Sequence, residues 1–225
     1  MELIERDGFL RSLETKFESV IEGEGHCILL SGEAGIGKTS LIKSFYKEKK
    51  DNCKIYQGTC DALFTPRPLA PIYDIIWQIQ KDTKESELNN IDRALLFNQL
   101  FHGLEQQKKP VIIIIEDIHW ADEATLDFIK FFARRIVRLH CLFILSYRDN
   151  EILDNHPLRN VLGQLSSDSL TRLQLQPLSR HAVEKMAEER GYKGEDVFSI
   201  SENRVFISLS SANAMHLVRY SGLPY

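Results

Sequence analysis

Short apolar runs alternate with helical stripes along this chain. The runs at residues 27–30, 111–115 and 141–145 contain no charged residue. Runs of this length are typical of strands that are covered on both faces of a parallel sheet. Between them, apolar residues recur every three or four positions, which predicts amphipathic helices packed on that sheet. The pattern therefore predicts an α/β fold with three layers and a parallel central sheet.

Helices and strands are predicted for most of the chain up to Pro177. The first helical stripe covers residues 6–21 and places Leu13, Phe17, Val20 and Ile21 on one face. Asp122 is a suitable N-cap for a later helix. Other helices are predicted near residues 38–45, 72–79, 91–104 and 156–165, and other strands near residues 53–57 and 170–176.

After Pro177 the pattern becomes that of a small helical unit. Ser179 can cap a helix that contains Ala182 and Val183, and a last helix is predicted over residues 209–220. We therefore divide the chain into a main domain, residues 1–177, and a small helical subdomain, residues 178–225.

Composition and charge exclude several classes of protein. The 225 residues are 43% hydrophobic and 27% charged, with a formal net charge of -4, as is ordinary for a globular protein. A mildly acidic chain lacks the charge of a general nucleic-acid binder, so we expect no direct DNA contact from this segment. The longest apolar run is too short to cross a bilayer and the N-terminus lacks a signal-peptide pattern, so we expect a cytoplasmic protein without membrane contact.

The four cysteines, Cys27, Cys53, Cys60 and Cys141, lack CxxC spacing. Two of them, Cys27 and Cys141, begin apolar strands. We therefore expect reduced, mostly buried thiols rather than a disulfide or a metal site.

The most informative motif is SGEAGIGKT, which begins at residue 31 and matches GxxxxGK[ST]. It lies between an apolar strand and a helical stripe, the context that a phosphate-binding loop requires. Gly32, Gly35 and Gly37 permit backbone conformations that a Cβ would hinder, so that successive N–H groups can surround an anion. Lys38 can reach the β- and γ-phosphates, and the Thr39 hydroxyl can bind Mg²⁺. A glycine-rich turn with a chance lysine is the alternative interpretation.

Two acidic residues, Glu116 and Asp117, follow the most apolar strand. Acids at the carboxyl end of a parallel strand lie where open α/β sheets bind ligands. In a P-loop ATPase one such acid holds Mg²⁺ through its water shell, and the next orients or deprotonates the attacking water. We assign Glu116 to the metal and Asp117 to the water. A one-residue slip that makes Asp117 the metal acid stays open, as does the interpretation that both acids simply begin a loop.

Arg148 follows another buried strand and Arg6 lies near the N-terminus. A planar guanidinium at a strand tip is suited to sense a γ-phosphate, because it can bind phosphate oxygens and shift when they leave. A surface ion pair with Asp149 is the alternative. The segment LIERD, which contains Arg6, either lines the pocket of the base or forms an ordinary helix start.

These motifs occur in an order that is known from one family. Over nearly its whole length the chain resembles the N-terminal ATPase module of large LuxR-like transcriptional regulators and related signal-transduction ATPases, the STAND class of P-loop proteins. The resemblance rests on GEAGIGKTSLI, CDALFTPRPLAPI, IIIIEDIHWADEATLDFI, LSYRDNEI with HPLRNVL, LQPLS and the terminal SGLPY. The GxxxxGK[ST] match is shared by many folds, whereas the HWAD and TPRPL stretches are more specific.

The resemblance implies an AAA-like P-loop NTPase that binds ATP or ADP with Mg²⁺. By motif, Lys38 matches the phosphate lysine, Arg148 the sensor arginine, and Pro224 the proline that packs on the adenine when the helical subdomain closes as a lid. Family members usually carry aspartate where Glu116 stands. We expect catalytic roles for Lys38, Glu116, Asp117 and Arg148, metal binding by Thr39 and Glu116, and nucleotide contacts from Gly32, Glu33, Ala34, Gly35, Ile36, Gly37, Lys38, Thr39, Ser40, Arg6 and Pro224.

The resemblance also bears on partners and on activity. Further domains of the family would follow Tyr225, so we expect a segment of a longer protein that can associate with itself when nucleotide is bound. The first hypothesis is an ATP-dependent signal-transduction switch with slow hydrolysis. The second is a nucleotide-binding interaction module with residual or no hydrolysis, favoured by Glu116. A small-molecule kinase would need an acceptor pocket and a separate acidic base, for which the sequence offers no candidate.

Overall fold

A five-stranded sheet forms the centre of the computed structural model, which describes residues 3–62, 67–79, 92–165, 168–188, 206–208 and 216–218. The strands lie in the order β2-β3-β4-β1-β5, and every neighbouring pair is parallel. The prediction of a parallel central sheet is confirmed. The strands are β1 (His26–Ser31), β2 (Lys54–Thr59), β3 (Val111–Glu116), β4 (Cys141–Tyr147) and β5 (Leu170–Gln174).

Helices cover both faces of this sheet, as the three-layer prediction requires. The first layer contains α1 (Asp7–Ile21) and α2 (Lys38–Lys47). The opposite layer contains α3 (Ala70–Ile79), α4 (Arg93–Glu105), α5 (Glu123–Ala133) and α6 (Pro157–Gln164). A further helix, α7 (Arg180–Glu188), follows β5. None of the helices in the described part of the chain combines the length and the apolar character that a bilayer crossing needs.

Strand β3 shows how the sheet divides the core. Val111, Ile113 and Ile115 belong to the hydrophobic cluster under α3 to α6, and Ile112 and Ile114 belong to the cluster under α1 and α2. Because both faces are covered, the strand is a continuous apolar run instead of an alternating one. Each such buried side chain contributes roughly 1.5–3 kcal/mol to stability.

The helical stripes are confirmed in most positions. Leu13, Phe17 and Val20 of α1 are buried, whereas Ile21 is 54% exposed and does not belong to the core. Ile21 is the last residue of α1 and directly follows Val20, so it points to a different side of the helix.

All four cysteines are free and buried, as predicted. Burial raises the pKa of Cys27 and of Cys60 to about 12. These two thiols therefore stay protonated at neutral pH and behave as small apolar groups.

The end of the chain differs from the prediction. Helix α7 agrees with the helix expected after Ser179, but Phe206–Ser208 and His216–Val218 form two antiparallel strands, β6 and β7. The helix predicted over residues 209–220 is therefore wrong at residues 216–218. Phe206 and Ile207 in the first segment and Val218 in the second favour an extended backbone, and the pairing supplies main-chain partners. The remainder of that predicted helix lies outside the described residues.

The register of the sheet brings three strand ends to one level. Ser31 of β1 lies opposite Tyr147 of β4, and Ile115 of β3 lies opposite Leu145 of β4. The segments that follow these three strands therefore leave the sheet at the same carboxyl edge, where α/β sheets bind ligands. Since β4 separates β1 from β3, the chain that leaves β4 does so between the other two strand ends.

Candidate nucleotide-binding site

The loop after β1 has the backbone conformation that its glycines were expected to supply. Gly32, Gly35 and Gly37 have φ values of 146°, 73° and 100°. L-amino acids with a side chain rarely adopt such values, so the backbone conformation predicted for these three glycines is confirmed. Helix α2 begins at Lys38, directly after the loop, and its first N–H groups and positive dipole end are available to an anion held there.

Lys38 is held by the main chain of its own loop. Its Nζ donates hydrogen bonds to the carbonyl oxygens of Gly32 at 2.7 Å and Glu33 at 2.9 Å. Burial lowers the pKa of the ammonium, and the carboxylate of Asp117 opposes that shift. Two of the three N–H groups of the ammonium are thus accounted for by the loop, and the third can donate to a phosphate oxygen.

Thr39 and Glu116 meet although they lie 77 positions apart in the sequence. The hydroxyl of Thr39 donates a hydrogen bond to Oε2 of Glu116. Hydroxyl and carboxylate oxygens are ligands that suit Mg²⁺, which uses few protein ligands and completes its shell with phosphate and water. Within the described ranges, no three His, Cys, Asp or Glu side chains form a metal cluster of their own. The pair fits a nucleotide-bound Mg²⁺, and the contact favours Glu116 over Asp117 as the metal acid.

Asp117 turns away from its neighbour Glu116. Its backbone is left-handed, with φ 58° and ψ 42°, and its N–H donates to Oγ of Ser146 at 3.3 Å. The Asp117 Oδ1 lies 4.0 Å from Nε of Arg148 and 3.9 Å from Nδ1 of His119. The two adjacent acids therefore face different partners, Glu116 the loop and Asp117 the end of β4.

Arg148 packs on an aromatic ring and pairs with an acid that sequence reasoning did not single out. Its Cζ lies 4.7 Å from the centroid of the Trp120 ring, and its Nη1 donates to Oε1 of Glu151 at 2.6 Å. The alternative of an ion pair with Asp149 is wrong, because Oδ2 of Asp149 instead accepts a hydrogen bond from Gln174 at 2.8 Å. In the sequence, the spacing of three residues between Arg148 and Glu151 was the signal that could have indicated this pair. The helical turn that brings the two side chains together was not predicted.

His119 is buried between two acids. It is 4% exposed, its Nε2 lies 3.3 Å from Oε2 of Glu151, and neither ring nitrogen makes a hydrogen bond. Burial lowers the pKa of its imidazole, and the charges of Asp117 and Glu151 act in the opposite direction. The ring of His119 also packs on Trp120, with centroids 4.5 Å apart. His119 and Trp120 thus pack on each other within the loop after β3, as expected.

Asp122 of the HWAD stretch contacts Leu69, the last residue of the TPRPL stretch. Its Oδ1 accepts hydrogen bonds from the N–H groups of Ala124 at 2.9 Å and Thr125 at 3.1 Å, which confirms the predicted N-cap of α5. Its Oδ2 accepts from the N–H of Leu69 at 3.2 Å. Leu69 has a φ of 60°, so Asp122 supports a strained turn as well as a helix end. These contacts give both stretches a structural role next to the site.

Arg6 supports the loop by contacts with main-chain carbonyl groups. Its Nη2 donates to the carbonyl oxygens of Ile36 at 3.2 Å and Gln176 at 2.9 Å, and the residue is 5% exposed. Beside it, the carboxylate of Glu5 accepts a hydrogen bond from the N–H of Ser179 at 2.8 Å. The N-terminal segment thus touches both the loop and the start of α7, and a contact between Arg6 and the base stays a prediction.

The remaining predicted nucleotide contacts fall into two groups. Glu33, Ala34 and Ile36 lie in the loop, and Ser40 lies in the first turn of α2. Pro224 lies outside the described residues.

A parallel sheet of this order, a glycine loop before a helix and an acid from a further strand together define a P-loop ATPase fold. Residues 2–144 match the family described as the AAA ATPase domain. The match covers more than half of the chain, and the chain belongs to this family. It is therefore a nucleotide-binding ATPase module.

Solved structures share the fold at low sequence identity. The ORC1 protein of Aeropyrum pernix, solved in complex with DNA, has a TM-score of 0.62 and 17% identity over 84% of this chain and 50% of that chain. Cdc6p of Pyrobaculum aerophilum has a TM-score of 0.60 and 16% identity over 82% of this chain and 48% of that chain. At these identities the likeness shows the fold alone.

A curated relative is an uncharacterized protein of Rhizobium meliloti (strain 1021). It is 24% identical over 218 aligned residues, which cover 76% of this chain and 21% of the relative. The chain thus spans about a fifth of that relative's length and about half the length of the two solved structures.

Proposed function

We propose that this domain is an ATP-dependent switch that binds ATP or ADP with Mg²⁺ and hydrolyses ATP slowly. In this proposal it is the N-terminal regulatory module of a longer signal-transduction protein, a transcriptional regulator of the LuxR-like kind. The observation that carries the proposal is the contact between Thr39 and Glu116, which joins the phosphate loop to the acid at the end of β3.

The residues of the site divide the chemical work. Loop N–H groups and Lys38 bind the phosphates, while Thr39 and Glu116 hold the metal. When Mg²⁺ is bound it neutralises charge on the phosphate oxygens. Asp117 orients the attacking water or accepts its proton, since its charge acts on the ammonium of Lys38 and its carboxylate therefore lies near the phosphates. Phosphoryl transfer to water requires little more than this positioning and charge stabilisation.

The switch requires contacts that differ between the ATP and ADP states. Arg148 supplies one, because it can bind a γ-phosphate that only ATP carries. The segment from residue 178 to residue 225 supplies another if it closes over the base as a lid, with Pro224 on the adenine. The contact between Glu5 and Ser179 supports this part of the proposal. It links the N-terminal segment, whose Arg6 contacts the loop, to the start of α7.

One observation favours a second function, a nucleotide-dependent interaction module with little hydrolysis. Glu116 stands where members of the resembled family usually carry aspartate, and its extra methylene can shift the metal and weaken turnover. The further domains of the longer chain and a second copy of the module are the partners in either case, and no DNA contact is assigned to this segment.

Nucleotide titration of Lys38→Ala tests the proposal. We expect the affinity for a fluorescent ATP analogue to fall about 10- to 100-fold, the value of a lost hydrogen bond to a charged group. Lys43→Ala is the matched control, because Lys43 is exposed on the same helix. Equal affinity of Lys38→Ala and Lys43→Ala would contradict the assignment of the loop. The nucleotide that copurifies separates the two functions: ADP in the wild type and ATP in a hydrolysis-deficient variant indicate turnover.

A further inference from the structure

We propose that Glu151 is a positioning residue for Arg148. The carboxylate of Glu151 competes with the γ-phosphate for the guanidinium of Arg148. Glu151 thereby sets how strongly the site prefers ATP over ADP. This inference rests on the proposed function of the site, because it assumes that Arg148 binds the γ-phosphate.

The guanidinium of Arg148 is occupied on three sides. Nη1 donates to Oε1 of Glu151 at 2.6 Å, Nε lies 4.0 Å from Oδ1 of Asp117, and the Trp120 ring covers one face at 4.7 Å. A charged hydrogen bond of this length is among the stronger ones in proteins. A phosphate that binds the Nη1–Nη2 side of the guanidinium with two parallel N–H groups therefore competes with Glu151 for Nη1.

The pair lies within electrostatic reach of the phosphate loop. Arg148 directly follows Tyr147 of β4, which lies opposite Ser31 at the end of β1, so the two chains leave the sheet side by side. The charges of Arg148 and Glu151 both act on the pKa of the Lys38 ammonium. The side chains of Arg148 and Glu151 are 26% and 35% exposed, which leaves the pair accessible to a competing anion.

Glu151 has a second partner to which it can turn. Its Oε2 lies 3.3 Å from Nε2 of His119, a buried ring whose nitrogens make no hydrogen bond. Once Arg148 binds a phosphate, Glu151 can accept a hydrogen bond from His119 in the tautomer that carries its proton on Nε2. The released carboxylate and the buried imidazole then satisfy each other. The site thus has two arrangements that differ in the partner of Glu151.

Only ATP draws Arg148 away from Glu151, since ADP lacks the γ-phosphate. Removing the charge of Glu151 should therefore strengthen ATP binding more than ADP binding. Loss of a negative charge near the loop favours both nucleotides, but only ATP also gains the freed guanidinium. A residue that merely supports the fold would change both affinities by the same factor. The ratio of the two affinities is the quantity that distinguishes these roles.

The test compares dissociation constants for a non-hydrolysable ATP analogue and for ADP, both with Mg²⁺. For Glu151→Gln we expect the preference for the ATP analogue to rise about 5- to 10-fold, at the lower end of typical coupling between sites. Glu105→Gln is the matched control. Glu105 also pairs with a residue three positions earlier, His102, but it lies near the start of β3, at the opposite edge of the sheet. We expect no change of preference in this control.

A double-mutant cycle with Arg148→Ala completes the experiment. Arg148→Ala should lower the preference for the ATP analogue, and Glu151→Gln should have no further effect in that background. An unchanged preference in Glu151→Gln, or the same rise with and without Arg148, would overturn the inference. If the wild type bound neither nucleotide, or if Lys38→Ala bound them as tightly as the wild type, the proposed function itself would fail.

Discussion

The two halves of the phosphate site are built in different ways. The loop half, residues 32–39, consists mainly of main chain: three glycines with positive φ, and a lysine that donates to carbonyl oxygens of its own loop. The strand-end half consists of side chains from the ends of β3 and β4, namely Glu116, Asp117, Arg148 and Glu151, which contact one another or the loop.

This difference teaches where the site can change. Within the loop half, the contacts of Lys38 join residues that are close in sequence, and contacts from outside are made to Ile36 by Arg6 and to Thr39 by Glu116. In the strand-end half, Asp117, Arg148 and Glu151 each have more than one charged or ionisable partner within 4.0 Å. Exchange of partners, on which a switch depends, is therefore expected at the strand ends, while the role proposed for the loop is to hold the phosphates.

The largest effect is expected in the strand-end half, for Asp117→Asn. Single-turnover cleavage of ATP should fall at least about 100-fold, as for loss of a general base, while the dissociation constant of ATP changes little. Asparagine tolerates the left-handed backbone of this position, so the fold should persist. Rapid-quench measurement at saturating ATP gives the rate. Equal rates in wild type and variant would remove Asp117 from the mechanism.

An intermediate effect is expected where the two halves meet, for Glu116→Gln. In the wild type, chelation of Mg²⁺ should weaken ATP binding. In Glu116→Gln the factor by which chelation weakens ATP binding should be about 10-fold smaller, because one charged ligand is lost. The measurement is the ratio of the ATP dissociation constant with a chelator to that with Mg²⁺, which falls when the metal acid is lost. Asp117→Asn is the comparison. If Asp117→Asn reduced the ratio and Glu116→Gln did not, Asp117 would be the metal acid.

The smallest effect is expected in the loop half, for Gly37→Ala. A Cβ at Gly37 would meet nothing within 4 Å, so the cost comes only from its φ of +100°. We expect a loss of about 1–2 kcal/mol in the free energy of unfolding. Gly103 of α4 also has open space for a Cβ, and Gly103→Ala should stabilise the protein by about 0.5–1 kcal/mol. Urea denaturation measures the free energy of unfolding of both variants. Equal changes in the two variants would show that a side chain at position 37 does not strain the backbone.

Much of the fold was predictable, because the apolar runs of β1, β3 and β4 are buried on both faces and carry no competing pattern. The strands at residues 216–218 and 206–208 were missed, because short segments with apolar residues fit a helix or a strand equally well. The segment LIERD was expected either to line the base pocket or to start a helix, and the described hydrogen bonds of Arg6 to distant residues end on carbonyl oxygens of the loop and of the segment after β5. Nothing in its neighbourhood in the sequence indicates partners that are 30 and 170 positions away.

The sequence by itself determined the local parts of this protein: the glycines of the loop, Lys38 at the start of α2, the Asp122 cap and the acids at the end of β3. Such features depend on backbone conformation and spacing over a few residues. Only the tertiary structure decided that Glu116 rather than Asp117 contacts Thr39, and that Arg148 pairs with Glu151 rather than with Asp149. These contacts depend on strand order, register and the turn after β4, which the hydrophobic pattern leaves undetermined because many arrangements of strands bury the same apolar residues.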